Sequence, residues 1–265
     1  MVRIGSYTIL KQLSEGSFGR TYLGEHHSLG IKACLKQEKT GDPLYQKLFR
    51  TEAMLLAKLH HESLPAFRDY YEDPSDPLIG QIIVMSFIEG KTITQIVQND
   101  GAVADEHIAW ILQRLLRVLG YMHYYGVVHS DIKPDNVILR PEEHHAVLVD
   151  FGLCAVRPDA HTLPMGGTEH YIAPEYLGGS PPSPSGDIYS LGKVGIYLAG
   201  GNVATGQLPD DMNDAMKKFL LRLTKRDPDA RPKNAWSAQD QLVRVREEAF
   251  GRTESTEVFR HRASK

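Results

Sequence analysis

Residues 7–13 alternate roughly between apolar and polar, break at Ser14-Glu15-Gly16-Ser17-Phe18-Gly19, and resume an extended pattern over 20–25. Strand, glycine turn, strand is a hairpin pattern, and Ala33-Cys34-Leu35-Lys36 adds a third strand. A helix then follows. Asp42 is placed to cap it, and Pro43 sits at its first position, where a missing N–H costs nothing. Glu52, Leu55, Leu56 and Leu59 fall on one face at i, i+3, i+4, i+7 spacing. Residues 67–72 and 81–86 read as two more strands.

Beyond about residue 87 the period lengthens. Over 105–125 a single stripe holds Ile108, Ile111, Leu112, Leu115, Leu116, Leu119 and Met122, which predicts a long amphipathic helix. Short strands are expected beside Asn136 and Asp150, a Pro/Gly/Ser loop over 178–186, and helices over 187–198, 214–223 and 237–248. A strand-rich first third and a helix-rich remainder predict two lobes, 1–85 and 86–250, with a polar tail at 251–265 and a ligand cleft between the lobes. No internal repeat interrupts this order.

Composition narrows the picture. The 265 residues are 42% apolar and 24% charged, which rules out a disordered chain, and the net charge of −3 argues against a dedicated nucleic-acid or membrane-surface binder. Cys34 and Cys154 lie far apart, which argues against a disulfide framework and for a reducing compartment. The first residues lack the apolar core of a signal peptide, and no apolar stretch approaches the roughly 20 residues that span a bilayer. These features predict a cytoplasmic protein with no membrane anchor. Three adjacent histidine pairs, His26-His27, His60-His61 and His144-His145, fall in expected turns and helix ends, where solvated side chains are the rule.

The candidate chemistry starts at the glycine turn, whose backbone N–H groups can approach phosphates. Lys36 follows Gly19 by seventeen residues on an apolar strand and needs an anionic partner, for which Glu52 is the candidate. Lys32 is the rival lysine, but it would stand at the ragged start of the strand. In His129-Ser130-Asp131-Ile132-Lys133-Pro134-Asp135-Asn136, a carboxylate, a lysine and an amide can converge from one loop. They can accept a hydroxyl proton, neutralise a phosphoryl group and ligate a hard cation, respectively. Asp150-Phe151-Gly152 lies fourteen residues beyond Asn136, and Gly167-Thr168 and Ala173-Pro174-Glu175 follow.

In order and spacing these segments resemble the eukaryotic-type Ser/Thr protein kinase catalytic domain, from about Tyr7 to Leu242. The resemblance implies an α+β, bilobal fold: a small antiparallel N-lobe sheet with one helix, and a larger, mainly helical C-lobe. It implies transfer of the ATP γ-phosphoryl group to Ser or Thr of a protein substrate, autophosphorylation included, with Mg²⁺ or alternatively Mn²⁺. Asp131 would act on the substrate hydroxyl, Lys133 would steady the γ-phosphoryl, and Lys36, held by Glu52, would contact the α/β-phosphates. Asn136 and Asp150 would hold the metal. Ser14, Gly16, Gly19, Thr21, Cys34, Met85, Ser86, Ile88 and Ile138 would surround the nucleotide, with Met85 as gatekeeper and residues 86–88 as hinge. Leu56, Phe67, His129 and Phe151 would stack as a column anchored by Asp187, and Glu175 would pair with Arg231. Asp135 and Glu169 are expected to line the peptide groove, which suits a basic peptide.

The departures from the family pattern matter too. Ser130 stands where many kinases carry Arg, the non-RD type, so activity is expected not to need phosphorylation of Thr162 or Thr168. The span from Asp187 to Arg231 is only 44 residues, so the substrate-docking helix between Gly201 and Met212 is expected to be reduced or absent, with distal docking either weak or supplied by a separate activator or docking protein. Lys193, inside an apolar helix, is expected to snorkel or ion-pair. The catalytic core is expected to consume nearly the whole chain, leaving regulation to the activation loop, the tail or another protein. The alternatives are a nucleotide-binding scaffold without transfer, disfavoured by the complete set of catalytic residues, and a small-molecule phosphotransferase, disfavoured by the protein-substrate motifs.

Overall fold

The computed structural model describes residues 2–16, 19–73, 80–140 and 145–253. Ser17, Phe18, His144 and the last twelve residues of the predicted tail lie outside the described residues. The chain divides into two units, 1–89 and 90–265.

The first unit is one antiparallel sheet and one helix. Its elements are β1 (Arg3–Ile4), β2 (Tyr7–Glu15), β3 (Gly19–His26), β4 (Lys32–Glu38), α1 (Pro43–Lys58), β5 (Phe67–Asp73) and β6 (Gly80–Ser86). The strands lie in the order β1-β2-β3-β4-β6-β5. Alternation along β4 decides what each residue does. Ala33 and Leu35 join Ile4, Tyr7, Ile82 and Val84 in a buried cluster. Cys34 and Lys36 therefore point to the other face. The register adds Thr21, opposite Lys36, and Met85, opposite Cys34, to that face. The helix α1 begins as predicted, with Pro43 in its first turn and the Asp42 side chain accepting from Leu44 N.

The second unit contains β7 (Lys91–Thr92), α2 (Ile93–Asp100), α3 (Asp105–Tyr124), β8 (Val127–Val128), a 3-10 turn (Pro134–Asn136), β9 (Val137–Arg140), β10 (His145–Leu148), β11 (Ala155–Val156), α4 (Pro174–Leu177), α5 (Pro184–Leu198), α6 (Asp214–Leu223) and α7 (Ala235–Phe250). The predicted stripe on α3 is fully buried, from Ile108 to Met122. The strands form a β10-β9-β7 sheet and a β11-β8 ribbon.

Two helix starts differ from the sequence pattern, and for one reason: capping residues resemble loop residues. Ser183 accepts from Gly186 N and Pro184 starts α5, so the helix begins inside the predicted loop. Asn234 and Ser237 form a capping box that starts α7 at Ala235. The helix α2 was not predicted, although its Thr92/Gln95 capping box is legible in the sequence.

No helix lies between Gly201 and Met212. The segment is instead a closed loop. Asn202 bridges Gln207, and the Asn202 side-chain oxygen accepts from Thr205 N at 3.0 Å. Lys193 corrects the expectation of snorkelling or ion pairing. Its side chain is buried, and its Nζ donates to Val203 O at 2.6 Å and lies 5.5 Å from the Tyr189 ring. The lysine is thus spent on holding this loop.

Candidate active site

In the first unit, Lys36 Nζ lies 2.7 Å from both Glu52 Oε1 and Oε2. Their side chains are 12% and 1% exposed. Burying two charges together is tolerable only when they meet with good geometry, as they do here. Lys32 is exposed and lies 3.8 Å from Glu89.

The glycine turn is closed by Gly16 N donating to Gly19 O at 2.9 Å. The two glycines serve differently. A Cβ on Gly19 would come within 2.8 Å of Gln37 O, so the close approach of β3 to β4 there requires glycine. A Cβ on Gly16 would meet only Gly19 O at 3.9 Å. Ser14 and Thr21 join their hydroxyls at 2.6 Å across the base of the turn. Glu15 accepts from Lys39 at 2.9 Å and lies 3.2 Å from Arg20 Nε. Hydrogen bonds from these two cations hold its carboxyl at about 2, well below the usual range.

Burial pushes the Cys34 thiol up to about 11, with the Lys36 ammonium opposing. A thiol of this kind is inert at neutral pH. Ser86 is committed to Ala66, donating through its N at 2.8 Å and accepting through its Oγ at 2.9 Å. Ile88 is half-buried in irregular backbone.

In the second unit, the loop after β8 gathers Asp131, Lys133 and Asn136 around one carboxylate. Asp131 Oδ1 accepts from the Thr168 hydroxyl at 2.8 Å, and Oδ2 accepts from Asn136 Nδ2 at 3.1 Å. Lys133 Nζ lies 2.8 Å from Oδ2 and donates to Thr168 Oγ1 at 3.0 Å. Asn136 Nδ2 also donates to Asp131 O at 2.9 Å. Both of these bonds use the amide nitrogen, which turns Oδ1, the oxygen able to ligate a hard cation, away from Asp131. Val149 N donates to Asn136 O at 2.9 Å, and Leu148 pairs Val137. This puts Asn136 and Asp150 at one end of the β9–β10 hairpin. The oxygen donors suit a hard divalent cation. Ile138 is half-buried on β9, opposite Val147 and Thr92.

The backbone around these groups is strained. Ser130 and Asp150 both have φ of 66°, a left-handed conformation that costs a non-glycine residue on the order of 1–3 kcal/mol. Asp187 offsets the first, since its carboxylate accepts from His129 N and Ser130 N, each at 2.9 Å. His123 Nε2 lies 2.8 Å from the same carboxylate, a contact the sequence reading did not foresee. His129 packs on Phe151 with ring centroids 5.4 Å apart. Burial holds the His129 imidazole below its ordinary pKa, against the pull of Asp187, Asp131 and Asp150. The neutral ring accepts the Asp131 N–H on Nδ1, so its own proton sits on Nε2. Glu175 and Arg231 form the expected pair, two parallel bonds of 2.7 Å. Asp135 and Glu169 are exposed.

The sequence matches the family described as protein kinase domain over residues 7–244, and the chain belongs to that family. The curated relatives named below carry Ser/Thr protein kinase names. It is 32% identical to serine/threonine-protein kinase D of Synechocystis sp. over 72% of this chain and 40% of that protein. It is 33% identical to serine/threonine-protein kinase PknA of Nostoc sp., over 78% of this chain and 38% of that one. With PknA of Mycobacterium tuberculosis it shares 30% identity over 74% and 47%. The aligned region thus covers less than half the length of each of these relatives. Among the described residues no helix is long and apolar enough to cross a membrane.

Proposed function

We propose that this chain transfers the γ-phosphoryl group of ATP to serine and threonine hydroxyls of a protein substrate, autophosphorylation included, in the cytoplasm. The observation that carries the reading is the hydrogen-bond state of Asp131. A carboxylate offers about four lone-pair sites. Thr168, Asn136 and Lys133 address three of them, leaving one for a substrate hydroxyl. Asp131 orients that hydroxyl and takes its proton as the phosphoryl group moves. Lys133 has three N–H donors, two of them spent on Asp131 and Thr168, and the third is available to a phosphoryl oxygen. Thr168 fastens the segment that bears the substrate to the loop that bears the base. Lys36, held by Glu52, binds the α/β-phosphates, and the backbone of the glycine turn covers them.

Asn136 and Asp150 would hold Mg²⁺ or Mn²⁺, which when bound neutralises phosphate charge. Two free thiols suit a reducing compartment. The closed loop in place of a docking helix favours a separate activator or docking protein for substrate capture. Ser130 is buried and carries no cation, so this position offers no receptor for an activation-loop phosphate, and we read the chain as non-RD.

The test is phosphate incorporation from labelled ATP with Mg²⁺, with and without a generic protein substrate, beside Asp131→Asn. Loss of a positioned general base costs about 10²–10⁴-fold. A wild type that binds ATP yet transfers no better than the variant overturns the reading.

A further inference from the structure

The strand that carries Lys36 and the helix that carries Glu52 are joined by only four residues, 39–42. This connection would ordinarily be a pivot, because Gly41 has φ of +67° and open space around it. It is tied down instead by Glu38, the last residue of β4, whose side chain the phosphotransfer reading does not use. Glu38 is only 7% exposed. Its Oε1 accepts from Thr40 N at 2.6 Å and from the Thr40 hydroxyl, and its Oε2 accepts from Gly41 N at 3.1 Å. The bonds continue into the helix. Asp42 N donates to Thr40 Oγ1 at 3.1 Å, Leu44 N to Asp42 Oδ1 at 2.7 Å, and Gln46 N to Asp42 O at 2.9 Å. One buried carboxylate thus anchors an unbroken relay from the strand end to the first turn of α1.

We infer that Glu38 is a positioning residue, whose buried carboxylate fixes the start of α1 so that Glu52 meets Lys36 without help from a modification or a partner. A buried charge is retained only where it is well satisfied, and each bond to Glu38 restrains a residue that a swinging helix would have to move. Gly19 faces Glu38 in the β3–β4 register, so the same corner also borders the glycine turn. The catalytic meaning of this role rests on the phosphotransfer proposed above, whereas its mechanical meaning does not.

The experiment is a double-mutant cycle between Glu38→Gln and Glu52→Gln, read by kcat/KM for ATP and by hydrogen exchange of amides 40–46. Glu38→Gln keeps the side-chain volume and one acceptor oxygen but presents an N–H₂ where an oxygen accepted. It is expected to lower kcat/KM about 10-fold, equivalent to about 1.4 kcal/mol, and to speed exchange at 40–46. In the Glu52→Gln background the same change is expected to cost less than about 2-fold, because there is no pair left to align. Thr40→Val breaks the relay without touching a charge and is expected to act in the same direction. Additive effects in the cycle, or unchanged kcat/KM and exchange in Glu38→Gln, overturn the inference even if the variant melts at a lower temperature. If the wild type transfers no phosphate, the phosphotransfer reading fails, and the exchange data still decide whether Glu38 anchors α1.

Discussion

Replacing Lys36 by methionine is expected to cost stability as well as activity, and the size of the loss follows from the burial of Glu52. The Glu52 carboxylate is 1% exposed and has both oxygens 2.7 Å from the ammonium. Removing one member of a buried pair costs about 3–5 kcal/mol, because the other charge stays behind. Protonation sets a ceiling. With an ordinary carboxyl pKa of about 4.3, neutralising Glu52 at pH 7 costs about 3.7 kcal/mol, at 1.36 kcal/mol per pH unit. The expected deficit at pH 7 is therefore about 3–3.7 kcal/mol, a fall of roughly 6–15 °C in thermal midpoint. The sign with pH is fixed. In Lys36→Met, burial raises the folded-state pKa of Glu52 above its unfolded value. The variant thus loses stability as pH rises above about 4.3 and recovers it on acidification, and at pH 5 the ceiling is only about 1 kcal/mol. Thermal melts followed by circular dichroism at pH 5 and pH 7, without nucleotide, measure this directly. The double variant Lys36→Met/Glu52→Leu is expected to regain most of the lost stability while staying inactive. A single variant that melts like the wild type, or a double variant as unstable as the single, refutes the reasoning.

Thr162→Ala, made without prior phosphorylation, is expected to keep transferase activity within about 2-fold, since the Thr162 hydroxyl closes only a local turn with Asp159, at 2.9 Å, in the described structure. Near-complete loss of incorporation in the same labelled-ATP assay counts against independence from activation-loop phosphorylation. Lys193 has a folded-state pKa lowered by burial, so the unfolded chain binds more protons at alkaline pH and the wild type gains stability there relative to Lys193→Met. Denaturant melts of both proteins from pH 8 toward about 10.4 check the sign, and a gap that stays constant or moves the other way is the contrary result.

Much of the site is legible along the chain because its chemistry is local. Asp131, Lys133 and Asn136 lie within one loop, and a three-way convergence over six residues needs no knowledge of distant packing. Lys36 could be preferred over Lys32 because it closes the apolar run Ala33-Cys34-Leu35, whereas Lys32 stands at the first position of the strand; alternation alone puts both lysines on one face. Boundaries suffered where one residue type has two meanings: Ser183 and Pro184 read as loop by composition and act as a helix start. Glu38 was invisible for a related reason, since a glutamate before Lys39 and Thr40 reads as solvated polar sequence until its burial is known.

Periodicity, caps and motif spacing act over a few residues, so most element types, the candidate reactive groups and membership of the kinase family are legible along the chain. Only the tertiary structure decided how those groups are held. Asp187 lies 58 residues from His129 in the chain and 64 from His123, yet its carboxylate secures both and offsets the strained backbone of Ser130. No local pattern encodes that convergence. It exists because α3 and α5 pack side by side through apolar faces, and a buried carboxylate between them is stable only when donors from distant parts of the chain satisfy it.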